Sequence, residues 1–583
     1  MRFTKGCINY KLICLLLCAA LTASLGACGS KMAGATISEI PQYTLPPVVG
    51  EIKPASGGDL TFPIPKSPES LNALKIDNVE LHNLYTLIYE QPVRFDINGK
   101  AQPELAETWS VDDTGTIWTF KLRQGVQWQG GHGEMTSADV LYTIGLIKGY
   151  TSEESSYAQY NSHITDCDAP DEYTITVTLD KPSRLGVYFM TFPVMCKDYC
   201  EDGDPNTQTP LGTGPYEVTE YNPETQMQLT VNTLWWKQSP YIQTLTAVCY
   251  EDHDDELAVF QQDLLDFLTT STITVGTLKN SHHAYADYLT QYYDCIVPNA
   301  GSGLFSDVGM RQAIGYALDR RDIISKALLG HAVATDYPVA PDSFLSGTSS
   351  NMYEYNQQKA RELLEAAGWK DRNGDGLCEQ VDGTQVTNLE IVLLIPLIQE
   401  NTYRHDVAEN IKSQLAEIGI TVNITEVEAT EYKQRLEDGY FDLALCSFYL
   451  DDYPDISFLI GTGGSKNYGS FSDGTLDGLM EECLKALDET SMAKAFQAME
   501  QRFIETVPQI GLYFRTNALL YDTSIAIAGD MRDLNLFTTL PQWYLFIKNE
   551  DGDIVPVSES VGASATPEAS AGATPTATPG GED

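Results

Sequence analysis

FDLALCSFYLDDYPDISFL, Phe441 to Leu459, is the stretch whose reading decides the fold. Phe441 to Leu450 is too unbroken in its apolar character for a half-exposed strand, so it reads as a buried one. The run then breaks into three carboxylates around a proline: Asp451, Asp452 and Asp455. Upstream, Leu389 to Ile395 (LEIVLLI) is a second apolar strand. Thr402 to Ile418 places Val407, Ile411, Leu415 and Ile418 on one helical face, with Gly419 as the stop signal. Ile420 to Val427 (ITVNITEV) alternates as a strand does, and Glu431 to Asp438 is a short helix behind Thr430 as N-cap, closed by Gly439. Strand, helix, strand, helix, strand predicts an α/β unit with parallel pairing and right-handed crossovers. Ligand clefts of open α/β sheets lie outside the carboxyl ends of the strands. The acid cluster stands at such an end and suits a positive group on a ligand; the alternative is an acidic turn in an acidic protein.

A chain of 583 residues divides into two or three domains. Its net charge of -45 leaves no basic excess to neutralise phosphates, which argues against nucleic acid as a partner. It also argues against a polybasic membrane surface. Arg2, Lys5 and Lys11 precede an apolar segment, Leu12 to Leu25, too short to span a bilayer. That segment closes on Leu25-Gly26-Ala27-Cys28, which looks like a bacterial lipobox. Residues 1–27 are thus expected to leave as a lipoprotein signal, with Cys28 carrying a diacylglyceryl group; the alternative is an ordinary secretory signal with an incidental cysteine. Residues 28–56 form a tether without periodicity. The expected location is the outer face of the cytoplasmic membrane, reached through the lipid anchor only. From 553 to 583 the chain turns to Ser, Thr, Pro and Ala and cannot build a core. Cys196 and Cys200 are the one close cysteine pair and a candidate disulfide outside a cell; the other cysteines are scattered, and none has zinc spacing.

Trp109 to Trp128 reads as a hairpin turning at Asp112 to Gly115. Leu81 to Tyr89 reads as a helix, Thr136 to Asp139 as a helix start, and Tyr173 to Leu179 as a strand. Ser306 is expected to cap a helix with Met310, Ile314, Ala317 and Leu318 on one stripe, and Asp319 the next. His282-His283 reads as an exposed pair in a polar loop. No HExxH, G-x-S-x-G or Walker loop occurs, so no enzyme is expected. Asp371, Asn373, Asp375, Leu377 and Glu379 follow a calcium-loop spacing, with Asp382 where a bidentate Glu is usual. Two readings stand: a structural calcium, or a turn whose Asx side chains bond their own backbone. No other cofactor is expected.

Several of these blocks carry a resemblance. LIYEQPVRFD (Leu87 to Asp96), PELAETWSVDDTGTIWTFKLRQGVQW (Pro103 to Trp128), TSADVLYT (Thr136 to Thr143), LGTGPY (Leu211 to Tyr216), VGMRQAIGYALD (Val308 to Asp319) and KARELLEAAGW (Lys359 to Trp369) resemble, in order, blocks of the extracytoplasmic solute-binding proteins of peptide and nickel ABC importers. The resemblance, to bacterial solute-binding protein family 5, runs over most of residues 57 to 550. It implies a periplasmic-binding-protein-like type II fold, a three-domain (cluster C) clamp with its ligand cleft between two lobes. Domain I would comprise 57–86, 205–300 and 520–552, domain II 87–204, and domain III 301–519. The implied function is capture of peptides by a monomer that delivers them to ABC permease and ATPase subunits. In the peptide binders an Asp after the shared strand pairs with the peptide ammonium, at a motif written DYP. Ungapped counting selects Asp451, the letters DYP select Asp452, and Asp455 resembles a third variant. Asp77, Asn78 and Val79 fall where oligopeptide binders make backbone contacts, and Arg404 is the one candidate for a peptide carboxylate. Alternatives keep the fold for a signalling-peptide receptor or for oligosaccharide or chelated nickel; a secreted hydrolase is more distant.

Overall fold

The computed structural model describes residues 54, 56–65, 70–76, 78–250, 252–271, 282–301, 303–346, 353–398, 403–450, 453–486, 489–548 and 554–555. The sequence readings on the signal segment, Cys28, Asp77, Asp451, Asp452 and the residues after 555 lie outside these. Strands Glu390–Pro396, Thr421–Val427 and Leu443–Tyr449 are joined by helices Tyr403–Ala416 and Ala429–Asp438. The first strand lies between the other two and pairs parallel with both. Leu393, Leu394, Leu443 and Ala444 are fully buried, because both faces of this part of the sheet are covered; that is why the apolar runs do not alternate. The second helix begins earlier than expected. Glu428 occupies the N-cap position with no side-chain bond, Thr430 lies inside the helix, and Gly439 closes it at φ 68°, a left-handed conformation that glycine adopts without strain.

This unit is part of a seven-stranded sheet. Its path runs Phe267–Ser271, Ile510–Asp522, His283–Pro298, Leu443–Tyr449, Glu390–Pro396, Thr421–Val427, with Ala332–Ala334 pairing Ile510–Asp522 beside it. The 16-residue strand His283–Pro298 pairs antiparallel with Leu443–Tyr449 through Tyr292 to Pro298. On its other edge it pairs with Ile510–Asp522, with register shifts between Leu289/Tyr293 and Asp294/Cys295. Such shifts bend a strand and increase its twist. His283, expected in an exposed loop, begins this strand instead and packs on Phe260 with ring centroids 4.2 Å apart; pairing with Asp522 carries it inward.

Two four-stranded sheets and four two-stranded ones accompany it among the described residues. One of the four-stranded sheets runs Asp59–Pro65, Thr244–Tyr250, Gln226–Val231, Tyr216–Asn222; the other runs Ala106–Val111, Ile117–Leu122, Thr174–Leu179, Ile164–Asp171. The Asp112 turn is as read: its carboxylate accepts the N–H groups of Thr116 and Ile117. Thr136 and Asp139 form a reciprocal cap on Ser137–Lys148. Helix Val79–Tyr85 begins two residues before the expected Leu81 and is capped by Asn78. Asp307, not Ser306, caps Val308–Ala317, because its carboxylate is the acceptor in reach of the Gly309 N–H. Cys196 and Cys200, the candidate disulfide, stand as buried free thiols, and burial pushes them up to about 11 and about 12. Ile554–Val555 pair with Ile547–Lys548 and so begin the expected tail as a short strand.

The LGTGPY turn is held by close backbone approach. Gly214 N–H donates to Ile88 O at 2.8 Å and Tyr216 N–H to Leu87 O at 3.0 Å. A Cβ on Gly214 would come within 2.7 Å of backbone atoms of Leu87 and Ile88. Gly214→Ala is therefore expected to destabilise the fold by about 1–3 kcal/mol, as overpacking does, read as a drop in the denaturation midpoint at unchanged m-value. Asp533 generates a second prediction. Burial pushes its carboxyl up to about 6, against the pull of the Gln291 N–H. An unfolded Asp titrates near 3.9, so the native state holds the extra proton between those values. Stability is then fullest below about pH 4 and falls as pH rises through about 6. Asp533→Asn should remove that fall, worth on the order of 2 kcal/mol between pH 4 and pH 7 in urea unfolding.

Candidate functional site

A cavity of about 1010 Å³, at the top of the range for small-molecule pockets, is lined mostly by segments outside the three larger sheets. Segments within 54–104, 156–241 and 528–544 supply most of its lining, and the seven-stranded sheet contributes Tyr292 and Tyr449, with Tyr453 just beyond it. Tyr292 and Tyr449 face each other across the His283–Pro298 and Leu443–Tyr449 ladder, ring centroids 5.2 Å apart and edge to face. Arg515 stacks 4.1 Å over Tyr292 and pairs with Asp294 at 3.2 Å. Tyr453 packs against Tyr188 and Phe189, at 5.9 and 5.7 Å between centroids.

The charged part of the lining is a network of two buried carboxylates and two half-buried cations. Glu90 and Glu104 are 5% and 6% exposed. Glu90 accepts from Trp235 Nε1 at 3.1 Å, Trp236 Nε1 at 2.9 Å and the Thr213 hydroxyl at 2.9 Å, and pairs with Lys237 Nζ at 3.2 Å. Lys237 also pairs with Glu104, which Arg94 Nε meets at 3.1 Å on its other oxygen. Burial raises the Glu90 carboxyl above the ordinary range, against Lys237 and the indole donors. Every partner of Glu90 is nevertheless a donor, so the wall is built for the ionised form. Lys237 lies 4.6 Å from the Trp236 ring centre and Arg123 4.4 Å. His82, also on the lining, is pushed by burial to about 4 and is neutral at pH 7.

Asn78 and Val79 line this cavity, and Asn78 Oδ1 accepts the Leu81 N–H at 3.0 Å. Asp451 and Asp452 fall between the described residues Leu450 and Tyr453, of which Tyr453 lines the large cavity. Asp455 lines a smaller cavity of about 60 Å³ and accepts the Ser457 N–H at 2.8 Å. Arg404 is not on the lining of the large cavity; its Nε donates to the Tyr403 hydroxyl at 3.2 Å. Sequence reading missed Glu90, Glu104 and Lys237. The run Trp235-Trp236-Lys237 was visible, but nothing local says that two indole N–H groups and an ammonium converge on a carboxylate some 145 positions away.

The calcium-spaced loop is closed by its own side chains. Asp371 accepts the N–H of Gly374 at 2.7 Å and of Gly376 at 3.0 Å, Asn373 that of Asp375, and Asp375 that of Leu377. Asp382 ends a strand paired with Gln385–Asn388. Among the described residues no group of three or more His, Cys, Asp or Glu is set to hold a metal ion. Among the same residues no helix is long and apolar enough to cross a membrane.

Comparison with known proteins places this geometry. The oligopeptide-binding protein AppA of Bacillus subtilis (strain 168) is 26% identical over 489 residues, 80% of this chain and 88% of AppA. Heme-binding protein A of Haemophilus influenzae is 23% identical over 493 residues, covering 77% and 85% of the two chains. The solved structure of B. subtilis AppA in complex with a nonapeptide superposes with a TM-score of 0.61 at 23% identity, over 85% of this chain and all of that one. The shared fold is the type II clamp. Residues 100–470 match the model of the bacterial extracellular solute-binding proteins, family 5, and the chain belongs to that family.

Proposed function

We propose that this protein captures peptides outside the cytoplasmic membrane and hands them to the permease and ATPase subunits of an ABC importer. The observation that carries the reading is the cavity of about 1010 Å³ lined by Asn78 and Val79 at one wall and by Tyr449 and Tyr453, the neighbours of Asp451 and Asp452, at another. Its relative AppA is named for oligopeptides and was solved with one bound. The extended ligand lies between the walls, its main chain bonded in the manner of an added strand and its ammonium held by the Asp451–Asp452 pair. Ligand favours the closed clamp because only there do both walls touch it. The chain acts as a monomer, tethered by the lipid on Cys28, and breaks no bond.

Mass spectrometry of what co-purifies with the protein tests this reading directly; enrichment of a sugar or a metal chelate in place of peptides overturns it. Asp451→Asn combined with Asp452→Asn is expected to weaken free-amino peptides about tenfold or more in calorimetry, the loss of one buried charge-assisted contact. N-acetylated peptides should change little. Any calcium taken up by the Asp371–Asp382 loop serves the fold, since no residue of that loop lines the cavity. Calcium should then raise the Tm of the wild type and not that of Asp371→Ala, with peptide affinity the same in both.

A further inference from the structure

Among the described lining residues, charge on the cavity wall is spent within the wall. Their ionic side chains are Glu90 and Glu104 on one side and Arg94 and Lys237 on the other. All four are joined in one network: Lys237 bridges both carboxylates, and Arg94 closes on Glu104 at 3.1 Å. The remaining polar lining is uncharged, and twelve of the lining side chains are aromatic. Several of their hydroxyls are tied into the wall. Tyr85 donates to Leu71 O at 3.2 Å, Tyr188 to Gly99 O at 3.3 Å, and Tyr89 accepts from the Leu211 N–H at 3.2 Å. None of those three backbone partners lines the cavity, so these rings meet it with their hydrocarbon surfaces.

We propose that Lys237 is a built-in counter-cation that fills what would otherwise be a dicarboxylate subsite, and that this part of the cavity therefore selects uncharged, ring-bearing side chains of the bound peptide. The inference rests on the peptide reading above and adds its side-chain class. At the Glu90–Glu104 part of the wall an incoming Lys or Arg finds both carboxylates already paired and gives up its hydration without a partner there. Attraction of a cation to tyrosine faces is smaller than that desolvation penalty. An incoming Asp or Glu meets the same deficit, because Lys237 and Arg94 are engaged. An aromatic side chain loses no ionic hydration and packs edge to face or offset against the rings. Lys237 is thus a specificity-determining residue.

The test uses the full chain and a set of free-amino peptides identical except for one interior position, Phe, Tyr, Lys or Glu, scanned along the peptide. At the position that enters the cavity, wild type should bind the Phe and Tyr peptides at least tenfold tighter than the Lys and Glu peptides. Lys237→Met leaves the Glu90 and Glu104 pair one cation short, so its Lys-to-Phe affinity ratio should rise at least tenfold. Glu104→Gln leaves the network one anion short, so its Glu-to-Phe ratio should rise instead; either variant suffices should the other fail to fold. Equal affinities across the set in wild type, or ratios unmoved in both variants, overturn the inference and leave peptide capture standing. Failure of every peptide, with haem or another non-peptide bound instead, overturns the peptide reading and this inference together.

Discussion

The strand His283–Pro298 is hydrogen-bonded on both edges, and the rest of the molecule is arranged by that constraint. Its partners, Leu443–Tyr449 and Ile510–Asp522, lie far from it and from each other in sequence, so three distant segments share one ladder. Every buried backbone donor and acceptor along it must be met, which leaves little freedom of register. The register shift between Leu289 and Tyr293 is where that regularity is broken, and it falls beside Tyr292, the residue this strand gives to the cavity. Pairing sets Tyr292 opposite Tyr449, and Arg515 on the third strand stacks over Tyr292. Ladder geometry thus delivers an aromatic pair to the mouth of a parallel unit, at the carboxyl end where such folds bind ligands.

Electrostatics work differently inside and outside. The chain carries a net charge of -45, yet among the described residues the ionic groups of the cavity wall number two of each sign. Surface carboxylates stay hydrated and repel one another only weakly through salt water. A buried carboxylate without partners carries a desolvation penalty of several kcal/mol. Glu90 avoids it with two indole donors, a hydroxyl and an ammonium, and Glu104 with Lys237 and Arg94. The same rule governs the buried pair of Arg320 and Asp336 elsewhere in the fold. The network of these four groups is neutral as a whole, and a ligand group that reaches it meets rings and paired charge.

Much of the local structure was legible in the sequence. The Asp112 turn, the Thr136 cap and the parallel unit from Glu390 to Tyr449 all follow from side-chain periodicity and turn chemistry. Misses came where two neighbouring residues offered the same chemistry. Ser306 and Asp307 both present an oxygen, and only the path of the preceding turn decides that Asp307 meets the Gly309 N–H. Thr430 looked like a cap, but the preceding strand feeds the helix from Glu428. His283 looked exposed because polar residues flank it, whereas pairing with Asp522 buries it. The Asp371 loop has one spacing compatible with two outcomes, since the side chains that suit a cation equally suit nearby N–H groups.

By itself the sequence determined the elements and the family. Apolar runs without alternation demand a sheet covered on both faces, and the collinear blocks from Pro103 to Trp369 lie within residues 100–470, which the family model matches. Tertiary structure alone decided the composition of the cavity wall. Glu90, Glu104 and Lys237 are ordinary surface-type residues when read locally, and the two carboxylates become buried against Lys237 only because the fold brings positions more than a hundred apart into contact. Periodicity reports which face of an element is covered. It carries no record of which distant charge is there to meet it, because that depends on how the sheets come together.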